Sequence, residues 1–371
     1  MTHEIANVVK HFQFEGEYLT SEPLRSGHIN DSYAAWFRGA DGRLHRYLLQ
    51  RINHYVFRSP EKLMQNIAAI TTHLREKILV SGGDPNRETL NLIPTLDNEY
   101  LYCTPAGDYW RSAIFIEGAQ TVDAAESLDQ VLCAARAFGN FQRLVSDFPA
   151  GQLHETIPDF HHTAKRFEAF VQAVERDLEN RALSVKSEIE FVERRSAETS
   201  ILVDLLECGQ VPERVTHNDT KLNNVMFDDE TGEGICVIDL DTVMPGLSLY
   251  DFGDAVRSGA NSAAEDEPNL DLVNFDLDIF DRFTAGYLET TGEFLTPLEI
   301  AYLPFSARLM TLECGMRFLT DHLNGDVYFR IHRTGHNLDR CRTQFKMVQQ
   351  MEDHYDTMLE IVQNYRQRFT E

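Results

Sequence analysis

The sequence predicts an α+β fold of two lobes: a small β-rich N-terminal lobe over residues 1–117 and a larger, mainly helical C-terminal lobe over residues 118–371. Three features carry that expectation. Short β-prone runs fill the first part of the chain. Stretches with apolar residues three and four apart fill most of the rest. One strand-rich island, Val215 to Val243, interrupts those helices and crowds polar side chains together.

Taken in order, YLTSEPLRSGHIND, SYAAWF and RLHRYLLQRIN read as strands, with a turn from Gly39 to Gly42 between the last two. Ser59 to Leu79 reads as a helix. Pro60 suits the first helical position, and Leu63, Ile67, Ile70 and Leu74 recur on one face. Strands are expected around Tyr100 to Thr104 and Trp110 to Ile116, with loops at Asp84-Pro85-Asn86 and Pro105-Ala106-Gly107. A hinge is expected at Phe115 to Gly118. Helices should then span Ser127–Val145, His161–Asn180, Glu188–Glu207, Leu270–Thr290, Pro297–His322 and Asn337–Phe369. The last carries one apolar stripe from Leu338 through Phe345, Met351 and Met358 to Tyr365. No internal repeat or low-complexity tract is visible. A cleft between two lobes is the expected ligand site.

Composition limits the partners. The formal net charge is −25, which argues against a general nucleic-acid binder and against docking on anionic membranes. An anionic ligand must be met locally, by placed cations, metal ions or backbone N–H groups. The six cysteines form no C-x-x-C pair and suggest no zinc site, so they read as free thiols in a reducing compartment. The N-terminus lacks the pattern of a signal peptide, and no apolar run is long enough to span a bilayer. A cytoplasmic location is expected, with no obligate protein partner.

The island reads VTHNDTKLNNVMFDDETGEGICVIDLDTVMPGLSLYDFGD. His217, Asn218, Asp219, Lys221, Asn223 and Asn224 precede an apolar run. An acidic, glycine-containing turn follows, then a strand that ends in Asp239 and Asp241. Two antiparallel strands joined by that turn would bring Asn224 and Asp239 together. Oxygen donors at two strand ends suit a hard cation such as Mg²⁺. Asp219 would lie beside the metal without ligating it.

The pattern H-x-D-x-K-x-x-N followed by a metal-binding Asp resembles a kinase catalytic loop. Asp251-Phe252-Gly253 spells the metal motif of protein kinases but lies too far down the chain for a hairpin, so Asp239 is the expected ligand. The stretches SGHIND, HRYLLQRIN, VTHNDTKLNN, VIDLDTVMPG, LYDFGDAVR, LPFSARLMTLECGMRFL and GDVYF resemble the aminoglycoside phosphotransferase / choline kinase family, and within it the N-acetylhexosamine 1-kinase subfamily.

That resemblance implies a protein-kinase-like fold with ATP and Mg²⁺ in the cleft and the β-rich lobe covering the nucleotide. It implies phosphorylation of the anomeric hydroxyl of GlcNAc or GalNAc. Asp219 would be the catalytic base, and Lys221 would steady the phosphoryl group. Asn224 and Asp239 would hold Mg²⁺. His28, Arg317 and Tyr328 would contact the sugar, and the backbone of Phe115, Ile116 and Glu117 would meet adenine. His217 and Asp251 would brace the catalytic loop. The blander readings are a loop histidine for His28, a helix ion pair for Arg317 and core packing for Tyr328.

Two departures stand out. The first loop, Leu24 to Asn30, has a single glycine. Where kinases carry the strand-three Lys, the chain has Gln50, and Arg51 should face the other way. Gln65 and Asn66 stand where a partner Glu is expected, which shifts phosphate charge onto metal and Lys221. Two rival readings follow: another acceptor, such as a hexose, an aminoglycoside or choline, or a nucleotide-binding pseudokinase.

Overall fold

The computed structural model describes residues 5–24 and 29–370. Strands β1 (Glu17–Pro23), β2 (Asp31–Arg38), β3 (Leu44–Ile52), β4 (Tyr102–Cys103) and β5 (Tyr109–Ile114) form one antiparallel sheet in the order β1-β2-β3-β5-β4. The β2–β3 and β3–β5 registers align Ser32, Gln50 and Arg111 in one row. Directly opposed residues of an antiparallel ladder share a face. The neighbouring row puts Leu49 on the opposite face. There Tyr47, Leu49, Phe37 and Trp110 bury against Ile5, Val8, Val9 and Phe12. The N-terminal segment thus covers the outer face of the sheet and leaves the Gln50 row to the cleft. Arg51 lies on the outer side and pairs with Asp31 and Asp108.

Helix α1 (Pro60–Ser81) buries Leu63, Ile67, Ile70 and Leu74, the stripe read from sequence. Past residue 114 the chain becomes mainly helical. The large core gathers α2 (Leu128–Leu144), α6 (Ser248–Gly259), α7 (Leu277–Thr291) and α9 (Leu303–Leu323). Between α2 and α6 come α3 (Thr163–Arg176), α4 (Lys186–Glu193), α5 (Ile201–Glu207) and the strands β7 (Arg214–Thr216), β8 (Val225–Asp228), β9 (Gly234–Val237) and β10 (Met244–Gly246). β6 (Ala119–Gln120) joins β8 and β9 in a small sheet beside the hinge. No helix among the described residues is long and apolar enough to cross a membrane.

Several expected elements differ from those seen. The helix expected over 270–290 begins only at Leu277, where Asp276 caps it by accepting the Asp278 and Ile279 N–H groups. Asp84-Pro85-Asn86, expected as a loop, opens a helical turn over Pro85–Glu88, because Asp84 accepts the Asn86 N–H as a cap. The helix expected over 297–322 breaks at Tyr302 into α8 (Pro297–Ala301) and α9. Pro304, near the start of α9, has no N–H to continue the ladder. The helix expected over 188–207 breaks after Glu193. Arg195 Nη1 takes the Phe191 carbonyl, which an unbroken helix would give to the backbone N–H of residue 195. The last helix breaks at His354 into α10 (His336–Asp353) and α11 (Tyr355–Thr370). α10 packs on α9, whereas α11 packs on α7, so one straight axis cannot serve both.

Candidate active site

The loop between β7 and β8 carries the polar cluster read from sequence, and its shape is fixed from below. Asn218 takes a left-handed backbone conformation, φ 65°. Its side chain bridges the carbonyls of Thr216 and Thr242 at 3.2 and 2.9 Å. Asp251, on α6 and 1% exposed, accepts the backbone N–H groups of His217 and Asn218 at 2.9 and 2.7 Å. Gln142 of α2 donates to the same carboxylate. Thr220 N–H goes to Asp254, one turn further along α6, at 2.9 Å. His217 Nδ1 accepts the Asp219 N–H at 3.3 Å, so its Nε2 carries the proton and donates to Ile238 C=O at 2.9 Å.

These constraints present Asp219 to the cleft. Lys221 Nζ lies 3.0 Å from Asp219 Oδ1. Asn224 Nδ2 donates to Asp219 Oδ2 at 3.1 Å and to its carbonyl at 2.7 Å. The Asp219 carboxylate holds the Lys221 ammonium above the ordinary lysine range. With its amide nitrogen so committed, Asn224 keeps Oδ1 free of hydrogen bonds from the described residues.

The β8–β9 pairing ends with Ile238 N–H on Asn224 C=O at 2.9 Å, which sets Asp239 beside Asn224. Asp239 also takes a left-handed conformation, φ 56°, and no described residue donates a hydrogen bond to its carboxylate. The residue as a whole is solvent-exposed, yet protein packs around its carboxyl group and keeps much of the water away. That desolvation, with repulsion from Asp241 and Asp219, lifts its carboxyl to about 7 against the pull of Arg111 and Lys221. Three acidic groups converge where the donor set is a free carboxylate and a free amide oxygen. This suits Mg²⁺, which takes one or two carboxylates from protein and completes its shell with phosphates and water. Among the described residues no group of three or more His, Cys, Asp or Glu has metal-binding geometry, so an all-protein cage is not built here.

The sheet contributes a residue that the sequence reading passed over. Arg111 projects from β5 beneath the sheet and is 6% exposed. Its guanidinium pairs with Asp241, two residues beyond Asp239, and its Nε donates to Gln50 Oε1 at 3.0 Å. Gln50 Nε2 donates to Ser32 Oγ at 2.9 Å, and Asn30 Nδ2 reaches Asp241 Oδ2 at 2.6 Å. A lone charge inside the apolar run YWRSAIFI was the available signal. Asn66 spends its side chain on the backbone of His154 and Val243 and forms no ion pair.

At the hinge, Phe115 N–H is spent on Arg46 C=O and Glu117 C=O on Arg87. The backbone groups of Ile116 and the Glu117 N–H have no such partner among the described residues. Beyond the polar loop lies Arg317 of α9. It makes no ion pair among the described residues, and its guanidinium sits over the rings of Phe160 and Phe329, at 5.1 and 5.7 Å. Phe160 adjoins His161, whose Nε2 is 3.2 Å from Asn218 C=O and whose Nδ1 is 2.9 Å from the buried Glu313. Tyr328 is exposed, and its ring meets Phe329 edge-on at 4.8 Å, so it is not core packing. His28 lies outside the described residues.

An acidic pair, an amide and a lysine converge between a β-sheet and a helical lobe, an arrangement that phosphotransferases use. The model of the APH phosphotransferase enzyme family matches residues 20–287, and the chain belongs to that family. Solved structures with similar folds include a microcompartment-associated aminopropanol kinase, with 16% identity, TM-score 0.56, and 96% of this chain and 98% of that chain covered. The amicoumacin kinase hAmiN, bound to AMP-PNP, Ca²⁺ and Ami, gives 12%, TM-score 0.58, and 94% and 92%. Choline kinase from Cryptosporidium parvum Iowa II gives 15%, TM-score 0.54, and 94% and 93%.

Proposed function

We propose that this chain is an ATP- and Mg²⁺-dependent kinase that phosphorylates the C1 hydroxyl of an N-acetylhexosamine, giving the sugar 1-phosphate and ADP. The observation that carries the reading is the Asp219 carboxylate, gripped by Lys221 and Asn224 and facing a cleft that also holds the unpartnered Asp239. Asp219 takes the proton of the anomeric hydroxyl. The bond from that oxygen to the γ-phosphorus forms as the bond to the β,γ-bridging oxygen breaks, and ADP leaves. The hemiacetal hydroxyl is more acidic than other sugar hydroxyls, so a carboxylate base suffices. Lys221 steadies the transferring group. Asn224 and Asp239 would hold Mg²⁺, which would supply positive charge to offset that of the phosphates. The boundary between lobes falls at 117/118, with Ile116 and Glu117 offering backbone groups to adenine.

Support for the acceptor comes from the sequence stretches named above and from Arg317. An unpaired guanidinium repels a cationic acceptor and can fork hydrogen bonds to neighbouring sugar oxygens. The same reading places the chain in the cytoplasm with a small sugar as partner. The test is ADP release from Mg·ATP with GlcNAc, GalNAc, glucose, galactose, choline and kanamycin as separate acceptors, with the product identified by phosphorus NMR. A 1-phosphate formed fastest from the N-acetylated sugars is expected, with turnover reduced at least ~100-fold in Asp219→Asn. Preference for choline or kanamycin would discard the sugar pocket. Nucleotide binding without turnover on any acceptor would favour the pseudokinase.

A further inference from the structure

Kinases of this general fold place a strand-three lysine on the α- and β-phosphates and anchor it with a helix glutamate. Gln50 occupies that strand position here and carries no charge. Arg111 stands directly opposite it across the β3–β5 ladder, on the same face. Its Nε is held by Gln50 and its Nη1 by Asp241. Its Nη2 has no hydrogen-bond partner among the described residues and is not sealed from solvent. Asp241 itself is 2% exposed and is tied to Asn30 at the end of the first loop.

We propose that Arg111 is the cation that binds the phosphate chain of the nucleotide, with Gln50 orienting it and Asp241 as its counter-ion. The lysine–glutamate pair is thereby replaced by an arginine one strand over and a carboxylate on the loop that follows β9. Arginine fits this place because two of its N–H groups can be fixed by protein while the others fork toward phosphate oxygens. Gln50 fits because an amide oxygen orients a guanidinium without neutralising it. The uncharged Gln50 is therefore no sign of lost catalysis. The inference rests on the nucleotide half of the proposed function and not on its acceptor half.

The test is equilibrium binding of ATP, ADP and adenosine to the full chain by calorimetry, in EDTA so that no metal shares the phosphate charge. Arg111→Met is expected to weaken ATP and ADP at least ~10-fold while adenosine changes less than ~2-fold. Returning the charge to strand three, in Gln50→Lys/Arg111→Met, is expected to restore most of the ATP affinity. If Arg111→Met fails to fold because Asp241 is left buried and unpaired, Arg111→Gln/Asp241→Asn makes the same comparison. A residue that only ties the lobes together would move all three ligands alike, and equal loss for ATP and adenosine, or no loss for ATP, overturns the proposal. No sugar enters the measurement, so its outcome is separate from that of the acceptor panel. Failure of the unaltered chain to bind any of the three ligands would overturn both this proposal and the nucleotide half of the proposed function.

Discussion

Asp251 grips the polar loop chiefly by its backbone: its two carboxylate oxygens take the N–H groups of His217 and Asn218 at 2.9 and 2.7 Å, and its own carbonyl takes the Thr220 hydroxyl at 2.6 Å. Both N–H groups are buried and precede Asp219 directly, so the carboxylate fixes the direction in which Asp219 points. Asp251→Asn turns one acceptor into a donor that faces an N–H. Leaving one buried donor unsatisfied costs about 1–3 kcal/mol. We expect a lower melting temperature and a kcat reduced ~10-fold or more, with ADP affinity within ~2-fold of the original. Unchanged kcat in a destabilised variant would show that the brace does not position the base.

Strand β7, which leads into that loop, is anchored by Arg214 and Glu299. The pair is two-pronged, at 2.7 and 2.8 Å, and Ser248 and Thr296 also donate to the carboxylate. Burial alone would raise the Glu299 carboxyl, but these four donors outweigh it and hold it below the ordinary range. A depressed carboxyl adds stability that is present above the unfolded-state value, about 4.5, and is lost as the pH falls through the folded value. Glu299→Gln leaves Arg214 short of a partner, at a cost of about 3–5 kcal/mol near neutral pH. The gap between the two proteins should therefore narrow on acidification below about pH 4. Denaturant unfolding at pH 7 and at about pH 3.5 measures it, and an equal gap at both would contradict the assignment.

Sequence and structure agree where meaning is local. The clustering of Asp219, Lys221 and Asn224 was legible because these residues recur at fixed offsets within a few positions. The β8–β9 hairpin was legible because its turn joins two apolar runs. Arg111 was not, since its place depends on the register with Gln50 on another strand, and no local pattern encodes a cross-strand partner. The break at Tyr302 was readable from Pro304, which an apolar periodicity count overlooks. The break after Glu193 was not, because it turns on Arg195 bending back to the Phe191 carbonyl while also pairing with Glu352 on α10. His28, read from the first loop, lies outside the described residues.

Asp239 is held at a cost to stability. Its carboxylate has no hydrogen-bond donor among the described residues and is repelled by Asp241 and Asp219. A charge kept in that state has no structural use, which fits a place reserved for a cation. Asp239→Asn should raise the melting temperature of the metal-free protein at pH 8 by a few degrees, because one of three repelling charges is gone. The same change should abolish most of the gain in ADP affinity that Mg²⁺ brings. A variant that is less stable without metal, yet still binds Mg·ADP normally, would remove Asp239 from the metal site.

Arg317 separates the acceptor readings. Its guanidinium rests over Phe160 and Phe329 and makes no ion pair among the described residues; it adds its field to that of His161 in holding the buried Glu313 carboxyl low, and removing it leaves the His161–Glu313 contact in place. Arg317→Met keeps an unbranched apolar stem for packing on Phe160 while removing the fork of donors. The melting temperature should move by no more than a few degrees. The KM for an N-acetylhexosamine should rise ~10-fold or more, and the KM for ATP should stay within ~2-fold. If Arg317 instead repels cations from a pocket shaped for them, the variant gains turnover on choline or kanamycin and the sugar KM does not change. If it is only a packing residue, the melting temperature falls and both KM values stay put. The two Michaelis constants and a melt, measured on one variant, therefore distinguish a sugar contact from a charge filter and from a strut.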